Sequence, residues 1–467
     1  MKPTAPRAMP PFDPWLAYTT TVDVASATRA GAAALAERRA RRLAALLASA
    51  AQRSAFYRRR LKGADPSRLQ DLPVVHKAEL MRRFEDWVAD PALHLAALRR
   101  FVADRARIAD PFLDRYVVWE SSGSSGEPGI FVQDAAAMAV YDTLEALRKP
   151  VLQPLARLMD PWYLGERIAF VGATGGHFAS TVSIERLRRL QPALAGRLRG
   201  ISFLQPIDAL VAALDAFAPT IVATYPSAAA LLAEERMAGR LRAAPREIWT
   251  GGEDLSAAMR HFVQQAFGCR VASSYGASEF LSMASECDRG RLHLNSDWVI
   301  LEPVDAQGRA VPPGEAGATT LLTNLANHLQ PLIRYDLGDR VTLHAEPCAC
   351  GSPLPAIEVG GRCDDTLKLG RARTRPVAVL PLALSTVLEE EAGLFDFQLE
   401  QRGPCDLLLR TGLDGEAGQA ALGRARRVLT DFLAGQGAAG VRIRCRGGEA
   451  GLRGRSGKVP RVIAKPV

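Results

Sequence analysis

A run of serine and glycine residues between Glu120 and Gly129 is the segment best suited to hold an anion. It reads Glu-Ser-Ser-Gly-Ser-Ser-Gly-Glu-Pro-Gly and directly follows the apolar segment 117–119. Small residues let backbone N–H groups approach an anion, and the hydroxyls of Ser122, Ser124 and Ser125 add donors. A Ser/Gly run can also be a flexible linker. Its place between a predicted strand and a helix-forming stretch, 135–148, favours a triphosphate loop.

Three further segments place a carboxylate beside or near glycine at the end of a predicted strand. They are Thr250-Gly-Gly-Glu-Asp254, Ser274-Tyr-Gly-Ala-Ser-Glu279 and Arg334-Tyr-Asp-Leu-Gly-Asp339. Open α/β sheets bind their ligands at such strand ends. Glycine admits a flat base against the backbone, and carboxylates can hold ribose hydroxyls or Mg²⁺. Each segment alone fits a helix cap or a turn, whereas the three together favour a nucleotide site.

Cysteine and histidine form an independent motif, Cys287-x5-His293 followed by Cys348-x-Cys350. Three sulfurs and one imidazole suit tetrahedral Zn²⁺, although the spacing is not that of a common zinc finger. Unrelated buried thiols are the alternative. The odd total of seven cysteines predicts reduced thiols without disulfides. The remaining four read as small core residues: Cys269, Cys363, Cys405 and Cys445.

The elements that must position these motifs follow from hydrophobic periodicity. Residues 28–107 have helical spacing, and after Tyr116 short β-branched runs at 117–119, 168–171, 220–223, 247–249 and 270–272 alternate with helical stretches. This alternation predicts a largely parallel α/β sheet. Closely spaced strands with turns at 305–308 and 312–314 predict an antiparallel β-rich subdomain over 292–357.

The predicted fold class is therefore α/β, in two domains. Residues 1–361 would form a large N-terminal domain that contains the mixed α/β core and the β-rich subdomain. Residues 362–467 would form a small, mobile α+β C-terminal domain, with a boundary near Gly360-Gly361.

Composition excludes several classes of protein. The chain has 467 residues, 48% hydrophobic and 23% charged, which is typical of a globular protein with well-buried cores. No apolar run approaches the length of a membrane span and the N-terminus lacks a secretory pattern, so we expect a cytoplasmic protein without a membrane partner. The net charge of +9 comes from scattered arginines, which predicts an anionic substrate and no nucleic-acid partner.

In their order along the chain these segments resemble the motifs of the adenylate-forming superfamily, which includes acyl-CoA synthetases and peptide-synthetase adenylation domains. The most similar branch is that of phenylacetate-CoA ligase and coenzyme F390 synthetase. The similarity runs from about Arg41 to the C-terminus. It begins with Ala55-Phe56-Tyr57-Arg58 and Asp71-Leu72-Pro73 and ends with Ser456-Gly457-Lys458. The branch also has a similar Cys/His arrangement, interpreted as structural zinc.

The resemblance implies roles for individual residues. Glu279 would hold Mg²⁺, Asp339 would bind the ribose hydroxyls, and Lys458 would be the catalytic lysine. Arg362 would approach the nucleotide, and Asp364 would be the hinge about which the C-terminal domain turns. The phosphate loop would be Ser121, Ser122, Gly123, Ser124, Ser125 and Gly126, and the nucleotide would lie along Gly251, Gly252, Glu253, Tyr275, Gly276 and Ser278.

The lysine has a clear physical purpose. A carboxylate that attacks the α-phosphate of ATP brings two anions together, so a cation must offset their repulsion. Two positions depart from the superfamily pattern. Glu127 stands where the loop usually has lysine, which predicts weakened pyrophosphate contacts, and Asp336 stands where arginine is commoner.

The implied activity is ATP-dependent activation of a carboxylic acid, followed by transfer of the acyl group to a phosphopantetheine thiol. Segments 173–178 and 225–226 would line the acid pocket. Gly175, Gly176 and Phe178 favour an aryl or arylacetic acid, and His177 would orient its carboxylate or cap a helix. The thiol would belong to coenzyme A or to an acyl carrier protein. A non-thiol acceptor, a non-catalytic nucleotide-binding regulator and a homodimer stay open.

Overall fold

The computed structural model describes residues 8–63, 65, 68–121, 128–149, 152, 159–160, 163–360, 367–370, 376–394, 397–449 and 461–464. The helices are α1 Pro14–Thr28, α2 Ala32–Arg53, α3 Ala55–Arg60, α4 Lys77–Arg82, α5 Phe84–Trp87, α6 Leu95–Ala103, α7 Ala135–Leu147, α8 Ala179–Leu190, α9 Pro192–Ala195, α10 Ile207–Phe217, α11 Pro226–Met237, α12 Ala257–Phe267, α13 Pro381–Glu390 and α14 Gly415–Gly435. Short 3₁₀ turns cover Leu69–Asp71 and Arg105–Arg107.

The strands are β1 Val117–Glu120, β2 Ile130–Gln133, β3 Ile168–Gly172, β4 Leu198–Ser202, β5 Ile221–Thr224, β6 Glu247–Gly251, β7 Arg270–Ala277, β8 Phe280–Glu286, β9 Leu292–Leu294, β10 Val299–Val304, β11 Thr319–Asn324, β12 Tyr335–Asp336, β13 Arg340–Leu343, β14 Ala356–Gly360, β15 Leu367–Leu369, β16 Val377–Val379, β17 Gln398–Gly403, β18 Asp406–Arg410, β19 Arg442–Arg446 and β20 Val462–Ile463. Among the described helices, none is long and apolar enough to cross a bilayer.

One large sheet organises the first 360 residues. Its strand order among the described residues is β13-β14-β9-β8-β7-β6-β5-β3-β4. Strands β4, β3, β5, β6 and β7 are parallel, whereas β8, β9, β14 and β13 continue the sheet antiparallel. The parallel half matches the predicted strand–helix alternation, because helices α10, α11 and α12 cover apolar strands that are buried on their faces. The predicted antiparallel β-rich region is also present, and β10, β11 and β12 form a separate sheet within it.

The first predicted strand was assigned to the wrong sheet. β1 pairs antiparallel with β2 in a two-stranded hairpin and does not join the parallel sheet. The Ser/Gly run therefore connects two strands of a hairpin, and helix α7 begins only after β2. A strand-like pattern shows that a segment is extended but does not reveal its partner, which explains the error.

Local chemistry accounts for the helix boundaries near the site. Asp134 caps α7, since its carboxylate accepts the N–H of Ala137 at 2.9 Å. Ser256 caps α12 in the same way through Met259, at 3.2 Å. Helix α12 ends at Gly268, whose φ of +62° suits a glycine at a helix C-terminus.

The C-terminal part has its own core. β19, β18, β17 and β20 form a mixed sheet, and the apolar faces of α13 and α14 pack against it. Leu380, which precedes α13, and Ala383 of α13 also belong to the apolar cluster of the parallel sheet, so this part contacts the N-terminal region.

The irregular end of β7, just before the turn to β8, leaves no space for a side chain at Gly276. A Cβ atom there would lie 1.9 Å from the carbonyl oxygen of Leu281. Two adjacent strands would have to separate to admit it, so the turn depends on glycine.

We expect Gly276→Ala to destabilise the protein by at least the roughly 1–3 kcal/mol that overpacking costs. Gly423→Ala is the matched control, because Gly423 lies on the exposed face of α14 and a Cβ there meets nothing within 4 Å. This control should stabilise the helix by up to about 1 kcal/mol. Urea unfolding of both variants measures the difference, and an unchanged midpoint for Gly276→Ala would contradict the steric argument.

Candidate active site

The Ser/Gly run is closed at its base by reciprocal hydrogen bonds. The N–H of Ser121 donates to the carbonyl of Gly129 at 2.8 Å, and the N–H of Gly129 donates to Oγ of Ser121 at 2.9 Å. Nearby, the indole N–H of Trp119 donates to the carbonyl of Ser278 at 2.8 Å. The stem of the predicted phosphate loop is therefore joined to the motif that contains Glu279. Five of the predicted loop residues lie outside the described residues: Ser122, Gly123, Ser124, Ser125 and Gly126.

Each of the two predicted carboxylates of the nucleotide site accepts a hydrogen bond from a tyrosine hydroxyl. The hydroxyl of Tyr335 donates to Oε1 of Glu279 at 2.8 Å, and the hydroxyl of Tyr275 donates to Oδ2 of Asp339 at 2.9 Å. Asn324 stabilises the turn between β7 and β8, since its side-chain amide donates to the carbonyl of Glu279 at 2.9 Å. Glu279 follows β7 and Asp339 follows β12, so residues sixty positions apart in the sequence share one site.

Burial has the largest effect on the pKa of Glu279 and of the two tyrosines. It raises the pKa of Glu279, an effect that the charge of Lys77 opposes. It also raises the pKa of Tyr275 and of Tyr335 well above the ordinary value, with the neighbouring carboxylates acting in the same direction. Both phenols are therefore neutral donors near pH 7. A buried carboxylate that retains vacant oxygen lone pairs is a favourable ligand for a cation such as Mg²⁺.

The end of β6 supplies a flat backbone surface. Gly252 has a φ of +79°, and a Cβ atom there would lie 3.0 Å from the ring of Tyr225. A Cβ atom on Gly251 would lie 3.1 Å from the carbonyl of Ser274. The carboxylate of Glu253 accepts the N–H and the hydroxyl of Ser227 at 2.9 and 3.0 Å, which caps the first turn of α11. Glu253 thus orders the segment, and Gly251 and Gly252 leave its backbone without side chains.

His177 is fully buried between the hairpin and α6. Its ring packs on that of Phe101 at a centroid distance of 5.4 Å, and its carbonyl accepts the N–H of Glu120 at 2.8 Å. Burial lowers the pKa of His177, so the ring is neutral at pH 7. These contacts give His177 a packing role, and its predicted role towards the acid substrate stays a prediction.

Several residues at the site were missed by the sequence reasoning. Lys77, the first residue of α4, lies beside Gly129 at the loop stem. Glu390, the last residue of α13, reaches the same region, where Arg105 pairs with it at 3.2 Å. A Cβ atom on Gly176 would lie 3.0 Å from its carboxylate. Of the charged residues near the loop stem, only Glu120 could have been identified from the sequence, because it begins the Ser/Gly motif.

Asp336, which departs from the superfamily pattern, has a structural explanation. Its carboxylate accepts the hydroxyl of Thr319 and the N–H of Gly338, the latter at 3.0 Å. It therefore orders the turn that leads from β12 to Asp339. Arg334 is buried as well, has a φ of +50° and pairs with Glu302 at 3.3 Å.

Lys458, Arg362 and Asp364 lie outside the described residues.

The four predicted metal ligands converge. One ligand atom from each of Cys287, His293, Cys348 and Cys350 lies within 4.8 Å of all the others. Cys287 Sγ and Cys348 Sγ are 3.9 Å apart, and Cys350 Sγ lies 3.3 Å from Nε2 of His293. Zn–S bonds of about 2.3 Å in a tetrahedron place two sulfurs about 3.8 Å apart. The cluster therefore has the dimensions of a zinc site.

The imidazole is oriented for metal binding. Nδ1 of His293 lies 2.8 Å from the carbonyl of Leu354, so this nitrogen carries the proton and Nε2 presents a lone pair to the three sulfurs. The N–H of Ser352 donates to Sγ of Cys350 at 3.4 Å. Backbone partners of this kind are typical of the surroundings of structural metals.

Comparison with known proteins agrees with this architecture. Residues 197–348 match the family model described as AMP-binding enzyme. Over 102 residues the chain is 30% identical to Protein CapK of Staphylococcus aureus, a match that covers 22% of this chain and 21% of CapK. The chain thus spans about a fifth of the length of this curated relative.

Two solved structures of one enzyme resemble nearly the whole chain. The first is 2-hydroxyisobutyryl-CoA ligase with 2-HIB-AMP and CoA in the thioesterification state, with 23% identity and a TM-score of 0.54. The second is the same ligase in the postadenylation state with R3-HIB-AMP, with 22% identity and a TM-score of 0.51. Each match covers 92% of this chain and 90% of the other. The chain therefore has the fold of the adenylate-forming enzymes, which confirms the predicted fold class.

The acids at the loop stem predict a pH dependence. Burial raises the pKa of Glu120 to about 7, with Glu390 and Glu389 acting in the same direction. The folded chain then holds this proton more tightly than the unfolded chain, so its contribution to stability is full below about pH 4.5 and lost as pH rises to about 7.

We expect Glu120→Gln, which imitates the neutral acid, to match the wild-type Tm at pH 4.5 and to exceed it at pH 8 by about 1–3 °C. Thermal unfolding monitored by circular dichroism at both pH values measures the gap. Glu37→Gln on the exposed face of α2 is the control and should show no pH-dependent gap. A gap for Glu120→Gln that is the same at both pH values would contradict the assignment.

Proposed function

We propose that this protein activates a carboxylic acid with ATP as an acyl-AMP and then transfers the acyl group to a phosphopantetheine thiol. In the first step a carboxylate oxygen of the acid attacks the α-phosphorus of ATP, and pyrophosphate leaves. In the second step the thiol sulfur attacks the acyl carbon, and AMP and a proton leave. The observation that carries this proposal is the pair of tyrosine-held carboxylates, Glu279 and Asp339, beside the stem of a Ser/Gly loop.

In this proposal each carboxylate has a separate role. Glu279 holds Mg²⁺, whose charge would neutralise the phosphate oxygens and the buried carboxylate together. Asp339 accepts the ribose hydroxyls, and Tyr275 fixes its orientation. The backbone at Gly251 and Gly252 accommodates the adenine, because neither residue carries a side chain that would obstruct a flat ring.

The C-terminal part supplies the remaining groups. Lys458 offsets the repulsion between the acid and the α-phosphate, and Arg362 approaches the nucleotide. Rotation of residues 362–467 about Asp364 exchanges this arrangement for one that admits the thiol. The 2-hydroxyisobutyryl-CoA ligase structures, one with an acyl-AMP and one with an acyl-AMP and CoA, support a shared two-step scheme.

The acid that we favour is aryl or arylacetic, in agreement with the phenylacetate-CoA ligase resemblance. Tyr225 is half-buried and lies within an aromatic group, with its ring centroid 5.8 Å from that of Phe203 and 6.5 Å from that of Phe170. A Cβ atom on Gly176 would lie 3.1 Å from the ring of Phe178. Aromatic walls around two glycines favour a short, flat pocket over a long tunnel. Coenzyme A and a carrier protein present the same phosphopantetheine arm, so both are acceptors to test.

Exchange of labelled pyrophosphate into ATP tests the first step. We expect benzoic, hydroxybenzoic or phenylacetic acid to drive exchange, and Lys458→Ala to abolish it while thioester formation from supplied acyl-AMP is retained. Lys465→Ala, a second lysine near the C-terminus, is the control and should exchange at the wild-type rate. Each acid is then assayed with coenzyme A and with a carrier protein as acceptor.

The outcomes separate the alternatives. Exchange without transfer to either thiol indicates an amine or another non-thiol acceptor. Nucleotide binding without exchange indicates a regulator. A clear preference for medium-chain fatty acids would overturn the aromatic assignment, and equal loss of both steps in Lys458→Ala would overturn the role of this lysine.

We further propose that Cys287, His293, Cys348 and Cys350 hold one structural Zn²⁺. The metal would tie the connection between β8 and β9 to the loop that precedes β14. Both segments lie in the antiparallel half of the large sheet, where His293 is opposite Ala356.

We expect purified protein to contain about one zinc ion per chain by elemental analysis and to lose it in Cys348→Ser, with a reduction in Tm of several degrees. Cys269→Ser, which lies outside the cluster, is the matched control and should retain its zinc. Full zinc content and unchanged stability in Cys348→Ser would remove the proposal, and a disulfide found by mass spectrometry between Cys287 and Cys348 would replace it.

A further inference from the structure

Lys77 occupies an unusual position for a lysine in this chain. Lysine is scarce, with 7 residues against 52 arginines, and the Ser/Gly loop has Glu127 where related loops usually have lysine. Lys77 lies 52 residues before Gly129 in sequence and belongs to a different element. Even so, its Cδ lies 3.1 Å from where a Cβ atom on Gly129 would be. The lysine stem therefore crosses the base of the loop, at a place that only glycine leaves open.

The backbone places Lys77 relative to Glu279. The N–H of Val75 donates to the carbonyl of Arg334 at 3.0 Å, and the N–H of Asp336 donates to the carbonyl of Val75 at 2.9 Å. These bonds flank Tyr335, whose hydroxyl holds Glu279. One short strand pairing thus fixes both the start of α4 and the orientation of the proposed Mg²⁺ ligand.

The ammonium group of Lys77 has no committed partner. Within the part of the chain that the structure describes, it makes no hydrogen bond and no ion pair, and only longer-range charges act on it. It is half-buried, and it experiences the charges of Glu279, Glu389 and Arg461, of which the last two pair with each other. Burial lowers the pKa of Lys77, and the attraction of Glu279 opposes that effect. A cation that is partly desolvated and unpaired has donors available for an anion.

We propose that Lys77 binds the polyphosphate of the nucleotide and supplies the positive charge that the loop lacks at position 127. This inference rests on the proposed function. Lys77 approaches the loop stem from α4, so its position does not depend on the C-terminal part. In the absence of nucleotide it offsets the charge of Glu279. When Mg²⁺ binds Glu279, the metal replaces Lys77 as the positive charge beside that carboxylate. The ammonium of Lys77 then bonds to phosphate oxygens.

The alternative role is structural, in which Lys77 serves only as a counter-ion for Glu279. A structural lysine affects stability and binding of every nucleotide equally. A polyphosphate ligand instead distinguishes a nucleotide with β- and γ-phosphates from one without them. The test therefore compares the non-hydrolysable ATP analogue AMPCPP with AMP.

The experiment uses the full chain in three variants. Lys77→Met keeps the aliphatic stem without the charge, Lys77→Arg keeps the charge, and Lys149→Met is the control because Lys149 pairs with Glu145 on α7. We expect Lys77→Met to weaken AMPCPP binding by about 10- to 100-fold in calorimetry, with AMP binding changed by less than about 2-fold. Lys77→Arg should recover most of the affinity, and Lys149→Met should resemble the wild type.

Two results would overturn the inference while leaving the proposed function intact: equal losses of AMPCPP and AMP affinity in Lys77→Met, or wild-type affinity for both. A Lys77→Arg variant as weak as Lys77→Met would also count against it, because charge would then not be the cause. If the wild type binds no AMPCPP in the presence of Mg²⁺, the proposed function and this inference both fail. Urea unfolding of each variant separates affinity changes from loss of fold.

Discussion

The candidate site depends on two partly buried carboxylates, Glu279 and Asp339, that are each held by a tyrosine hydroxyl. Removal of a carboxylate from water is costly unless hydrogen bonds or cations replace the hydration. Tyr335 and Tyr275 each provide one neutral hydrogen bond, and the charge of Lys77 favours the ionised form of Glu279. Neutral donors orient an oxygen without cancelling its charge. Burial raises the pKa of Glu279, and a divalent cation bound there would stabilise its ionised form.

A second group of acids, Glu120 and Glu390, lies where the C-terminal part approaches the loop stem. Burial raises the pKa of both Glu120 and Glu390 to about 7, and Arg105 partly offsets this for Glu390. Polyphosphate bound near the stem would be repelled by these acids when they are ionised. If the proposed function holds, the contact of α13 with the loop stem must open, or be neutralised by a proton, before ATP binds. The same contact is compatible with a site from which pyrophosphate has already left.

Sequence reasoning located the parallel strands because they are buried on both faces and read as continuous apolar runs. It missed β4, in which Arg199 is exposed at the end of the sheet, so the apolar run is interrupted. It selected Glu279 and Asp339 as candidates because they occur in local motifs, and their roles stay predictions. It missed Lys77 and Glu390, whose neighbours lie 52 and more than 200 residues away along the chain. Such contacts arise from packing, and no local pattern encodes them.

Strand β8 links the two chemically active regions of the chain. Glu279 immediately precedes it and Cys287 immediately follows it, so seven residues, or about 23 Å of extended chain, separate the proposed nucleotide site from the Cys/His cluster. At one end Gly276 permits a turn that no larger residue fits, and at the other end the Cys/His cluster joins β9 to the loop before β14. A slip of one residue in β8 would turn every side chain to the opposite face. Because the turn and the cluster restrain opposite ends, the register of β8, and with it the direction of Glu279, is determined by both together.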